Sequence, residues 1–336
     1  MSTSPDRPSR PFFLITIDTE GDNFWATPRE ITTRNAAFLP RFQALCEKYR
    51  LKPTYLTDYE MAGAPDFQEF ARDVLRRGTG EIGMHLHAWN SPPLHQLTDD
   101  DYRCQPYLIE YPEGLIRKKV EFLTQLLEDT FGVKPTSHRA GRWSFNEVYA
   151  RVLVEFGYRV DCSVTPHVSW RLSKGDPAQP GGTDFSRFSP EPYTVDLEDI
   201  SRAGDSSLLE LPMTILRGNP VLQRVGSLLP QRTLPSRAWN LLFPPVRWLR
   251  PNGRNRRQMV RIVERVLQEG RSYAEFMLHS SEFMPGGSPN FRTADSVEQL
   301  YGDLEHLFSH VATKFAGATL QEFDASFRAE RGKVRA

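Results

Sequence analysis

The stretch Phe12–Asp22, FFLITIDTEGD, decides the reading of this chain. Phe12–Asp18 is short, β-branched and aromatic, the pattern of a strand buried on both faces, as in a parallel sheet. It runs straight into two acids, Asp18 and Glu20. Side chains alternate across a strand, so the two carboxylates share one side if the strand persists. Two carboxylates that close are costly unless a cation or a proton lies between them.

Working outward, short apolar strands alternate with amphipathic helices. Helical spacing covers Asn35–Tyr49, and Pro53–Thr57 reads as a second strand. Asp66, with Glu69 three residues on, has the capping-box pattern at the start of a helix that ends near Gly78. Glu81–His87 is the third strand, and Glu113–Phe131 a long helix with Gly132 as its C-cap. The remaining strands are Thr136–Ala140, Tyr158–Cys162, Leu208–Leu211 and Tyr273–His279. The remaining helices start at Asn146 and cover Arg254–Gln268 and Ser296–Phe315. Seven strands joined by crossover helices predict an α/β fold, one parallel sheet wound into a barrel. Two stretches break the alternation. Residues 163–207, rich in Pro, Gly and Ser, read as an insertion near the site, folded or partly mobile. Residues 219–257 interleave Leu, Val and Trp with arginine, a pattern that suits helical packing on the barrel or an interfacial membrane segment.

Composition narrows the function classes. Lys plus Arg and Asp plus Glu number 42 each in 336 residues, which leaves no global basic footprint for nucleic acid. Cys46, Cys104 and Cys162 have no metal-ligand spacing and read as reduced structural thiols. The polar, Pro-rich first residues lack a signal-peptide core, and no apolar run reaches the ~18 residues of a membrane span. These features point to a cytoplasmic protein, peripheral on the inner membrane face if the 219–257 segment is interfacial.

The third strand ends EIGMHLHAW, and His85 and His87 fall on one face. Two imidazoles at i and i+2 on a strand end are apt to chelate one metal. Imidazoles plus carboxylate suit zinc, and also nickel, cobalt or iron. Both clusters lie at C-terminal strand ends, where barrel enzymes build their sites. In SHRAGRW, Arg139 is placed to hold a carboxylate ionised, while His138 points the other way and reads as structural. In FMLHSSEF, His279 ends the last strand and is a candidate general acid. Trp25, Trp89 and Trp143 each follow a motif closely, and flat aromatic walls suit the apolar faces of sugar rings.

In this order, D-x-E, H-x-H, Arg and His resemble the NodB-homology polysaccharide deacetylases, carbohydrate esterase family 4. The resemblance runs from about residue 12 to 315 and implies a distorted (β/α)7 barrel as a single catalytic domain over residues 8–320. It implies one divalent metal held by Glu20, His85 and His87, with Asp22 as a substitute acid. Four residues after His85 stands Trp89, so the second histidine ligand falls to His87. Asp18 is then the catalytic base, Arg139 orients it, and His279 is the acid. Arg139-Ala140-Gly141-Arg142-Trp143 stands where the family has R-x-P-Y; the tyrosine is gone, so Trp143 or Arg142 shapes that wall, and Gly141, Trp25 and Trp89 are further candidates for binding substrate. Leu278 lines the acetyl pocket, and Asp161 is the nearest match to the fourth motif. The implied reaction is removal of an N-acyl group, acetyl first, from a carbohydrate. A non-sugar amide, a lipid-linked formyl sugar and an inactive binding barrel are the competing readings.

Overall fold

The computed structural model describes residues 10–228, Trp239 and residues 242–335. Seven parallel strands run along one curled sheet: β1 (Phe12–Thr19), β2 (Pro53–Thr57), β3 (Glu81–Leu86), β4 (Ser137–Ala140), β5 (Val160–Asp161), β6 (Leu209–Glu210) and β7 (Tyr273–His279); a short eighth, Ala316–Ala318, pairs parallel with the start of β1. Their spatial order is β7-β1-β2-β3-β4-β5-β6. β1 is central, with Asp18 in register with His279 on one side and with Leu56 on the other. The predicted seven strands are all present, and the fold is a distorted (β/α) barrel.

The distortion lies between β6 and β7. An antiparallel hairpin, Tyr193–Asp196 with Asp199–Ala203, pairs along β6. It covers an edge that would otherwise expose unpaired backbone groups. Contacts to β7 then come from the chain beyond β6. The amide of Glu275 donates to Thr214 Oγ1 at 2.8 Å, and Met277 N donates to Leu249 O at 3.4 Å.

Alternation along β1 and β7 divides the core. Phe13, Ile15, Ile17, Phe276 and Leu278 face outward into the main cluster, packed under the helices. These helices include α1 (Leu39–Lys48), α2 (Pro65–Arg77), α3 (Glu113–Phe131), α4 (Glu147–Glu155), α5 (Arg256–Gln268) and α6 (Ala294–Val311). Leu14, Leu56, Val160, Leu209 and Tyr273 form a second cluster, closed by Leu320 and Phe323 of the final helix α7 (Leu320–Arg335). Each such apolar side chain contributes about 1.5–3 kcal/mol on burial. Toward the C-terminal strand ends the same face turns polar, with Thr16, Arg139 and Glu275 and then Asp18, His85 and His279.

Local details differ from the sequence reading in two places. Asp66 does not cap α2: Ala64 is the N-cap, Pro65 opens the helix and Asp66 sits in its first turn. Proline at the first helical position needs no N–H partner, so the start moves upstream of the acid. The segment from Arg34 is a 3-10 turn that becomes helical only at Leu39. Residues 163–207 are ordered around the hairpin and a Ser169–Asp184 bridge. Of the 219–257 segment, Pro220–Ser227 is helical, and Leu229 and Leu241 lie outside the described residues.

Candidate metal and acid–base site

Glu20 sits just past the end of β1, and its backbone is clamped. Ser280 Oγ accepts from Glu20 N at 3.1 Å and donates to Glu20 O at 2.9 Å. Asn35 Nδ2 donates to that carbonyl and to Ser280 Oγ, both at 2.7 Å. Asp58, the N-cap after β2, also accepts from Gly21 N at 3.3 Å. The loop carrying Glu20 is therefore held from three elements.

Its carboxylate meets both histidines. Glu20 Oε2 lies 2.9 Å from His87 Nε2 and 3.5 Å from His85 Nε2, and all three side chains are buried. Among the described residues these three form the one group of His, Cys, Asp and Glu side chains placed to hold a metal ion. His85 Nδ1 lies 2.9 Å from Arg139 O, where it donates, so Nε2 is the lone-pair nitrogen. Phe24 stacks on His87 at 5.1 Å. Burial opposes the charge on Glu20, but His279, His85 and His87 around it prevail and hold its carboxyl far below the usual range. Two imidazole nitrogens and one carboxylate oxygen, with the outer nitrogen of His85 fixed on Arg139 O, fit a divalent ion of the zinc, nickel or cobalt type.

Asp18 stands beside this group. Its Oδ1 accepts from Arg139 Nη1 at 2.6 Å. Arg139 is fully buried and spends its other donors on Thr16 Oγ1, Cys162 O and Glu275. Burial would raise the Asp18 carboxyl, but Arg139, with His85 and His279, outweighs it and keeps the group ionised below the ordinary value. Glu275, on the far side of the same guanidinium, is pushed by burial up to about 7. One arginine thus separates an ionised carboxylate from one that readily holds a proton.

His279 completes the ring. Its Nε2 lies 3.8 Å from Asp18 Oδ2 and 3.8 Å from Glu20 Oε1. Its Nδ1 meets Arg250 Nη2 at 2.9 Å and Glu282 Oε2 at 3.3 Å. These groups open into a cavity of about 380 Å³ walled by Phe24, Trp25, Trp89, Tyr107, Trp143 and Trp170. Trp25 is 48% exposed and meets the His279 ring edge-on at 5.3 Å.

Not every expected residue reaches the cavity. Leu278 is fully buried in the outer core, opposite Ile17, because alternation turns it away from His279. Gly141 lies under His87: a Cβ there would meet His87 Nδ1 at 2.6 Å, so the glycine permits close packing and lines no wall. Arg142 does line the cavity, but its guanidinium is occupied by Gln105 O, Cys104 O, Ser173 Oγ and Lys174 O and stacks on Tyr107, tying two loops together. Trp143 covers Arg139, with its ring 4.9 Å from the guanidinium carbon. Arg142 and Trp143 both have left-handed backbone, at φ 55° and 62°. Asp22 is buried against Thr32 and Arg34, outside the metal-capable group. Asp161 accepts from His138 Nδ1 at 2.6 Å beneath Tyr149, away from the cavity.

The sequence reading missed Glu275, Arg250, Glu282, Ser280, Tyr107 and Trp170. Glu275 carried a signal, a lone acid within the apolar strand YAEFMLH on the face of His279. Arg250 carried none, since it comes from a loop 29 residues from its partner.

No protein-family model and no curated protein matches the sequence. Solved structures do match its fold. A structure from Mycobacterium smegmatis named for polysaccharide deacetylation is 16% identical, covering 98% of this chain and 95% of that one, with a TM-score of 0.56. The 4-alpha-glucanotransferase of Thermococcus litoralis is 14% identical over 94% of this chain and 40% of that one, at 0.52. A GH57 branching enzyme from Thermococcus kodakaraensis is 11% identical over 94% and 71%, at 0.51. The chain shares the barrel fold of these structures.

Proposed function

We propose that this protein is a metal-dependent hydrolase that removes an N-acyl group, acetyl first, from a carbohydrate. One observation carries the reading: Glu20, His85 and His87 converge beside the Asp18–Arg139 pair and His279 in a single aromatic-walled cavity. The fold neighbours named for polysaccharide deacetylation and for glucan transfer and branching support a saccharide substrate.

Glu20, His85 and His87 would hold the ion, which when bound polarises an amide carbonyl and lowers the pKa of water toward about 7. Asp18, kept ionised by Arg139, accepts the proton of the attacking water. Its carboxylate is buried, so little reorganisation accompanies the transfer. His279 lies across from Asp18 and protonates the departing nitrogen, which is otherwise a poor leaving group. Glu282 accepts from His279 Nδ1 when the ring is charged. The tryptophans orient the sugar ring by stacking and exclude water.

The test is a panel of N-acetyl and N-formyl sugars, free, nucleotide-linked and lipid-linked, beside small cyclic amides, with acetate and formate measured in the presence of zinc, cobalt or nickel. Release from a sugar that is lost in Asp18→Asn is expected. Release only from cyclic amides would move the substrate class. No release from any compound with metal bound would leave a binding barrel.

A further inference from the structure

A second concavity, of about 650 Å³, shares no lining residue with the acid–base cavity. Five arginines line it, Arg217, Arg247, Arg261, Arg265 and Arg271, against one carboxylate, Glu269. Glu269 takes Arg265 at 2.6 Å and Arg271 at 2.7 Å, and Glu191 lies 3.3 Å from Arg271. The other three have no carboxylate partner among the described residues. Arg217 Nε donates to the neutral acceptor His167 Nδ1 at 3.0 Å, and the exposed side chains of Arg247 and Arg261 are engaged by no described residue. The chain as a whole balances at 42 positive and 42 negative residues, so this is a local excess of positive charge. Gathering like charges in one hollow is unfavourable unless an anion fills it.

Among the described residues, apolar side chains at the edge of the hollow are exposed. Leu242, 70% exposed, is part of its lining. The neighbouring helix Pro220–Ser227 is joined to it through Gln223 Nε2, which donates to Phe243 O at 3.1 Å, and Gly218 N, which donates to Pro245 O at 2.7 Å. That helix and its end present Val221 and Leu228, 65% and 83% exposed. Exposed apolar residues beside unpaired arginines match an acyl-chain surface beneath a layer of phosphates, and nothing in a free phosphate ester uses the apolar rim.

We propose that this pocket takes the phosphate of an anionic phospholipid headgroup and seats this flank of the barrel on a membrane surface. The proposal is independent of the hydrolase reading, because membrane binding requires no turnover.

Cosedimentation of the full chain with phosphatidylcholine vesicles, with and without phosphatidylglycerol, tests it. Binding is expected only with phosphatidylglycerol, and is expected to weaken with salt. It is expected to fall roughly tenfold or more in Arg247→Gln/Arg261→Gln, and to fall also in Val221→Ser/Leu242→Ser. All four positions are exposed, and circular dichroism checks that each variant stays folded. Failure to bind phosphatidylglycerol vesicles overturns the proposal, as does binding that the arginine variant leaves unchanged. Titration with inorganic phosphate separates the sources. Binding of free phosphate that needs Arg247 and Arg261, with vesicles ignored, overturns the lipid assignment.

Discussion

Arg250 donates from Nη2 to Nδ1 of His279 at 2.9 Å, while Glu282 Oε2 lies 3.2 Å from that same nitrogen of Arg250. A guanidinium has donors only. In the neutral ring Nδ1 must therefore carry the lone pair, which puts the hydrogen on Nε2, facing Asp18 and Glu20. Nitrogen NMR of the His279 ring is expected to show the Nε2–H tautomer, shifting toward Nδ1–H in Arg250→Met, where Glu282 becomes the nearest partner. An Nδ1–H ring in the unaltered protein would refute this.

Glu282 is buried, and although burial opposes its charge, Arg250 and His279 hold it ionised. It is the acceptor for a charged His279. Glu282→Gln removes that acceptor and is expected to lower kcat by roughly 10²-fold with KM little changed. A rise in KM at constant kcat would instead assign Glu282 to substrate binding.

Asp18→Asn keeps the shape of the base and removes its basicity. Turnover is expected to fall by roughly 10²–10⁴-fold while metal content, read by elemental mass spectrometry, stays at the unaltered level. His87→Ala is expected to lose both. Near-full activity in Asp18→Asn would place the base elsewhere.

Adding and removing metal has a thermodynamic readout. An ion bound only by the folded state stabilises it by about 2.7 kcal/mol at a hundredfold excess over Kd. Zinc is expected to raise Tm and a chelator to lower it, and neither shift is expected in Glu20→Gln/His87→Ala. Equal shifts in that variant would locate the ion at another site.

Glu275 gives stability a pH dependence. Its folded-state pKa is raised from 4.5 to about 7 by burial, against the pull of Arg139. The folded state then holds the proton more tightly than the unfolded one. This contribution is full below the unfolded value and is lost as pH rises through about 7. Urea unfolding across this window is expected to show stability falling with pH, and Glu275→Gln is expected to flatten that fall.

Much of the barrel was legible along the chain. FFLITID and YAEFMLH are runs that only a sheet covered on both faces accommodates, and each carries its polar residue at the C-terminal end or on the inward face. The same periodicity placed Asp18, His85, Arg139 and His279 at neighbouring strand ends, since parallel strands in register bring those ends together. Where periodicity stopped, so did the reading. Asp66 looked like a cap, but Pro65 set the helix start. Leu278 was carried over by resemblance, and alternation turns it to the helix side.

The sequence by itself determined the strands, their alternation and the acids and histidines at their ends, because those follow from local period and residue type. Only the tertiary structure decided what each group touches. Arg139 lies between Asp18 and Glu275, residues 257 apart in the chain. Arg250 arrives at His279 from a loop with no pattern of its own. The unpaired arginines beside Leu242 collect from three separate segments. Charge partners, tautomers and local fields depend on distances of a few ångströms between remote segments, and chain order does not encode those distances.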